Sequence, residues 1–169
     1  MEFAHVNKSE KRVDVYEKVT GKAKYGADMR FPDMLYAKVL HTKYPYARIK
    51  NIDTSQAEKQ PGVVSIITAD DIPNNEFGVI IENQQVLAKD KAFYIGDGIA
   101  VVAAESAKQA AKAVEMIDVE YEELEGIYDP LRSREEGAQK VHEELEDNEV
   151  IHHPLRKGDI KEGFEKSDV

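Results

Sequence analysis

The sequence predicts an α+β domain of mainly antiparallel strands with one main helix over about residues 106–117. Three observations predict it. Several short segments alternate apolar and polar residues at strand period. One long segment carries an apolar stripe at helical spacing. The connections do not give strict βαβ repeats, and several strand pairs read as antiparallel neighbours.

The elements follow in chain order. Residues 1–12 are polar and read as a loose lead-in. Lys18 to Asp28 has Gly21 and Gly26 near its ends and reads as turn-rich, extended chain, with a few short helical turns expected elsewhere. In Leu35–Thr42, Leu35, Ala37 and Val39 share one side of a strand. Tyr44-Pro45 turns the chain into a second strand, Ala47–Asp53, whose Arg48 and Lys50 point to water. Asp53 or Thr54 offers a cap for a short helix from Ser55 to Lys59, stopped by Pro61-Gly62. Val63–Thr68 is rich in β-branched residues and reads as a third strand. Thr68 with Asp71 caps a single turn ended by Pro73, and a short strand is expected near Gly78–Ile81. Ile99–Ala104 has no polar face, which reads as a strand covered on both sides. Ser106 and Gln109 form a capping-box pair opening the main helix. Ala107, Ala110, Ala111, Val114 and Ile117 make its stripe, with Lys108, Lys112 and Glu115 off it. The period then switches: Ile117, Val119 and Tyr121 alternate with Asp118, Glu120 and Glu122 in a half-exposed strand.

Composition excludes several classes. The 169-residue chain has no cysteine, which removes disulfide scaffolds, Cys-ligated zinc, Cys-bound iron–sulfur clusters and thiol catalysis. No apolar run approaches the ~18 residues of a membrane span, and no secretory signal opens the chain, so a cytoplasmic location is expected. The net charge of −10 is uneven. Residues 1–117 hold 16 acidic and 16 basic side chains, whereas residues 118–169 hold 17 and 7. Nucleic-acid binding needs clustered basic residues, which this balance does not provide.

Each candidate site has a plainer reading beside it. Gly96-Asp97-Gly98 lacks the third glycine of a dinucleotide fingerprint; that position is Val101, inside a strand, so the glycines read as a bend. The histidines His5, His41, His142, His152 and His153 include no pair at the i,i+3 or i,i+4 spacing of a helical zinc site. The acidic run Glu143-Glu144-Leu145-Glu146-Asp147-Asn148-Glu149 lacks the calcium-loop spacing and reads as a solvated segment. No serine sits in a G-x-S-x-G turn. The eight tyrosines read as core-edge residues with wet hydroxyls. No catalytic, cofactor-binding or metal-ligating residue is assigned.

Read as a string, the chain says more. Arg12-Val13-Asp14, Lys18 through Asp28 and Met34 through Leu40 resemble the opening of the molybdenum-binding subunit of the xanthine dehydrogenase and aldehyde oxidase family. Ala47 through Ser55, Pro61-Gly62-Val63, Thr68 through Pro73, Leu87 through Lys91, Val119 through Leu124 and Lys157-Gly158-Asp159 continue the resemblance in order, over about residues 12–169. Two departures are local. Lys43-Tyr44-Pro45-Tyr46 stands where the family commonly has a histidine-containing stretch, and Gly96-Asp97-Gly98 where it often has Gly-Glu-Pro.

The resemblance implies the family's α/β hammerhead fold over residues 13–125. It makes residues 126–169 an acidic, extended segment leading into a molybdopterin-binding domain, and the most mobile part of the isolated chain. It also implies a whole enzyme that oxidises purines, N-heterocycles or aldehydes with water-derived oxygen, using molybdopterin and [2Fe-2S] clusters, with or without FAD. Its partners would be the molybdopterin-binding domain of the same polypeptide and iron–sulfur and FAD domains or subunits, with no nucleic acid and no membrane. The family's catalytic and pterin-binding segments follow the hammerhead, so none is carried onto these residues, and the isolated chain is expected to be inactive. Two other readings stay open: a stand-alone, non-catalytic binding or assembly module on the same scaffold, and a metal-binding protein using His142, His152, His153 and the acidic run. A homo-oligomer of the isolated chain through exposed strand edges stays open as well.

Overall fold

The computed structural model describes residues 5–79 and 81–168. Eight strands and four helices follow one another in it: α1 Val15–Val19, β1 Tyr36–His41, β2 Ala47–Asp53, α2 Ser55–Glu58, β3 Val63–Thr68, β4 Glu76–Phe77, β5 Gln84–Gln85, β6 Lys91–Ala92, β7 Gly98–Ala104, α3 Ala107–Val114, β8 Asp118–Glu123 and α4 Ile160–Glu165. One three-stranded sheet has the order β1-β7-β3, a second has β6-β2-β8, and β4 pairs with β5 in a hairpin. Every pairing is antiparallel. The architecture is therefore the mixed α+β one that the alternating segments predict.

The two sheets and α3 share one core. Ala100 and Val102 of β7 meet Ala113, Val114 and Ile117 from α3 and its exit, and Ala57 of α2. Leu40, Ile52 and Val119 bring β1, β2 and β8 to the same cluster. A second cluster forms around Ile99, Ala88 and Ala92. Ile99 and Val102 are the largest fully buried side chains. Alanines fill much of the rest, which lets α3 lie close against β1 and β7.

The local signals work as their chemistry requires. The Ser106 hydroxyl oxygen accepts the Gln109 backbone N–H at 3.3 Å and donates to Gln109 Oε1 at 2.5 Å. Asp71 accepts the Thr68 backbone N–H at 2.8 Å around the single turn that precedes Pro73. Gly62 has φ +80°, the left-handed region open to glycine, and an added Cβ there would meet the Gln109 amide. That turn seats β3 against α3, and the Gly62 carbonyl accepts the Glu105 N–H at 2.9 Å.

Four details differ from the sequence reading. Helix α3 is shorter than 106–117, because Ser106 is the cap and the chain leaves helical hydrogen bonding after Val114. The turn-rich, extended stretch holds over residues 20–25, but Lys18 and Val19 before it close a short helix, α1, where Asp14 ion-pairs with Arg12 at 3.0 Å and Lys18 at 2.5 Å, and Gly26–Asp28 after it make a single helical turn. The short strand expected at 78–81 is displaced to Glu76–Phe77 and Gln84–Gln85, and the expected stretch falls in the connecting turn; Ile80 lies outside the described residues. Finally, β7 is covered fully on one face and only in part on the other. Its Ile99, Ala100, Val102 and Ala104 are buried, but Val101 and Ala103 are half-buried. An all-apolar strand carries no record of which face its own chain covers.

Candidate functional site

The connection between β1 and β2 joins the two sheets, and the Gly96-Asp97-Gly98 bend braces it. Gly96 takes φ +94°, a conformation glycine adopts without strain. Its N–H donates to the Thr42 carbonyl at 3.0 Å, and the Thr42 N–H donates to the Asp97 carbonyl at 2.9 Å. The His41 ring N–H at Nδ1 donates to the Gly96 carbonyl at 2.6 Å. Asp97 is only 5% exposed, and its carboxylate accepts the Phe93 backbone N–H at 3.0 Å. The Asp97 charge, with partial burial and a hydrogen bond, pushes the Tyr94 phenol above its ordinary value. The bend is thus a structural clasp whose backbone groups are already engaged.

Aromatic rings spread outward from that clasp. Tyr44 packs against Tyr121 with centroids 5.0 Å apart, and burial raises the Tyr121 phenol's pKa. Tyr46, Phe93 and His142 form a row with centroid spacings of 6.0 and 5.1 Å. Tyr44 and Tyr46 of the Lys43–Tyr46 stretch therefore serve packing. Tyr46 is buried and Tyr44 half-buried, as core-edge residues, while Tyr94 and Tyr128 stand exposed.

His142 brings the acidic segment onto this row. Glu143 ion-pairs with Lys91 of β6. That ammonium holds the Glu143 carboxyl below its ordinary value, and Glu143 raises Lys91 in return. Asn148 closes the segment on itself: its Oδ1 accepts the Val141 N–H at 2.8 Å, and its amide donates to the Gln139 and Ser133 carbonyls at 2.9 and 3.0 Å. Where residues 125–141 fold back, a cleft of about 290 Å3 remains, lined by Tyr46, Phe93, Tyr94, Ile127, Tyr128 and Val141. Its lining is mainly apolar, with Glu125 and Lys140 also at its wall.

The other candidates stay apart. His5 faces Glu10 at 3.3 Å, His152 faces Glu149 at 3.2 Å, and His142 faces Glu144 at 3.4 Å. His153 is exposed. Among the described residues no three His, Asp or Glu side chains gather as metal ligands do, and no helix is long and apolar enough to cross a membrane. The cofactors implied by the resemblance can be tested against these groups. Iron–sulfur clusters need thiolates, and the sequence has none. A pterin needs polar groups left waiting for it, and among the described residues every buried side-chain nitrogen and oxygen has a hydrogen-bond partner. These residues fit neither group, and no chemical step is assigned to them.

Known proteins share this architecture. The chain is 45% identical over 167 residues to a probable xanthine dehydrogenase subunit of Bacillus subtilis (strain 168), covering 97% of this chain and 22% of that protein. It is 40% identical over 169 residues to the "nicotinate dehydrogenase large molybdopterin subunit" of Eubacterium barkeri, covering 99% of this chain and 39% of that one. Among solved structures, the aldehyde oxidoreductase of Desulfovibrio gigas superposes with a TM-score of 0.72 at 32% identity, over 79% of this chain and 16% of that one. The chain thus spans well under half the length of these relatives. Residues 20–125 match the sequence profile described as "aldehyde oxidase and xanthine dehydrogenase, a/b hammerhead domain". The chain belongs to the aldehyde oxidase and xanthine dehydrogenase family, and its two sheets with their packed helix are that family's hammerhead domain.

Proposed function

We propose that the chain is the N-terminal, structural part of the molybdenum-binding subunit of a xanthine dehydrogenase-like oxidoreductase. Residues 13–125 form the hammerhead domain, preceded by residues 1–12. Residues 126–169 lead toward a molybdopterin-binding domain of the same polypeptide. The whole enzyme would oxidise a purine, an N-heterocycle or an aldehyde with water-derived oxygen. Molybdopterin would do the chemistry, and [2Fe-2S] clusters, with or without FAD, would carry the electrons away through their own domains or subunits. On this reading the enzyme works in the cytoplasm and the hammerhead alone is inactive.

One observation carries the proposal: the chain aligns over 97% of its length with a relative of which it makes up only 22%. The experiment is an immunoblot of the source cells with antibody raised to this chain. A band several times larger than 19.1 kDa is the expected result. A band near 19.1 kDa alone would overturn the proposal and favour a stand-alone binding module.

A further inference from the structure

The two sheets treat their outer faces differently. On β6-β2-β8 the outward residues are charged or polar: Arg48 and Lys50 lie 3.6 and 3.5 Å from Glu122, and Asn51 pairs with Glu120 across the strands. That face is built for water. On β1-β7-β3 the outward positions in register are Ala37 and Ser65 on either side of Ala103, and Val39 and Ile67 on either side of Val101, so that Ser65 is the one polar side chain among them. Leu35 extends the row before β1. Leu35 is 43% and Ile67 39% exposed, Ala37 is exposed, and Val39, Val101 and Ala103 are half-buried. Not one of these positions is charged.

Contiguous apolar surface of this kind marks an interface in a soluble protein. The chain's own C-terminal segment does not supply the cover, since Ile151, Leu155, Ile160 and Phe164 are themselves exposed. The amount of chain present in relatives but outside this one is large, about four-fifths of the Bacillus subtilis protein. We propose that the outer face of β1-β7-β3 is where the remainder of the same polypeptide docks, through an apolar, uncharged face of its own. This rests on the reading of the chain as part of a longer subunit, and it names the docking surface within it. A six-residue apolar patch on the central and both edge strands would then anchor the hammerhead, while the charged face of β6-β2-β8 stays in water.

The test is hydroxyl-radical footprinting, read residue by residue by mass spectrometry, on the full-length polypeptide and on the 169-residue chain. The expected result is a several-fold loss of modification at Leu35, Val39 and Ile67 in the full-length polypeptide relative to the chain alone. Amine acetylation of Lys50, on the other sheet, should be unchanged. Equal modification of the three residues in both proteins would overturn the docking surface while leaving the domain reading intact. Protection already present in the short chain, and lost on dilution, would overturn it in favour of a second copy of this chain. Absence of any longer polypeptide on the immunoblot is the separate failure that removes the reading beneath it.

Discussion

Asp97 is a buried side chain whose role is acceptance of a hydrogen bond. Its carboxylate is buried and satisfies the Phe93 N–H, while its backbone carbonyl holds Thr42. Removing the acceptor leaves a half-buried donor unpaired, at a cost of about 1–3 kcal/mol. Asp97→Ala should therefore lose stability in this range by urea unfolding, and Asp97→Asn, which keeps an amide oxygen in place, clearly less. Equal stability of wild type and Asp97→Ala would refute the clasp. The same pair tests Tyr94. Its phenol is raised chiefly by the Asp97 charge, so Asp97→Asn should let it titrate nearer its ordinary value of 10.0, followed by ultraviolet absorbance. The sign for stability follows. A raised phenol contributes stability below the unfolded pKa and loses it as pH rises through the folded one, so the effect lies above about pH 10. The glycines around Asp97 were legible as a bend, since Val101 occupies the position a nucleotide fingerprint needs. The buried carboxylate was not legible, because its partner Phe93 offers only a backbone N–H, which every non-proline residue has.

Element by element, the legible parts are those whose signal is local. Ser106 and Gln109 announce α3, and alternation announces β2, β3 and β8. The cap matters because α3 has only eight residues, too few to be stable in water by itself. Ser106→Ala should cost about 1 kcal/mol of the chain's stability, measured as a shift in the urea midpoint with unchanged slope. A change in slope would mean the helix does more than start there. The acidic segment is the opposite case. Its composition reads as solvated chain, yet Glu143 pairs with Lys91, and His142 stacks on Phe93. Both contacts join residues some fifty positions apart, and no local pattern encodes such a meeting. The Lys91 ammonium lowers the Glu143 carboxyl, so this contact is present above the unfolded pKa of about 4.5 and lost as pH falls through the folded value. Lowering pH from neutrality through that window should release residues 141–149, seen as a loss of amide protection there, relative to the intrinsic exchange rate at each pH, before the sheets unfold. Glu143→Gln should show the same loss already at neutral pH. Protection that is unchanged across that window and by this substitution would show that His142 and Asn148 hold the segment without the ion pair.

At the scale of the whole molecule, the missing information is which faces meet water. The sequence pattern made β7 apolar throughout, which is compatible with cover from both sides, and its own chain covers one face fully and the other only in part. The difference between the two outer sheet faces appears only once register places Ala37, Ile67 and Val101 on one surface and Arg48, Lys50 and Glu122 on the other. That contrast makes a prediction with opposite signs in two proteins. In the 169-residue chain, Ile67 is partly solvated on an edge strand, so Ile67→Lys should cost no more than about 1 kcal/mol, set by lost β-branching. The added charge should also suppress self-association through this face. In the full-length polypeptide the same lysine would sit unpaired in an apolar contact, where an uncompensated charge costs several times more. Thermal unfolding should therefore show a small fall in Tm for the short chain and a much larger one for the long polypeptide. Lys50→Ile supplies the converse. It removes one partner of an exposed ion pair, worth at most about 1 kcal/mol, and should change Tm little in either protein. If Ile67→Lys lowers Tm equally in both, the outer face of β1-β7-β3 meets water in the complete subunit, and its apolar residues serve only to pack against one another within the sheet.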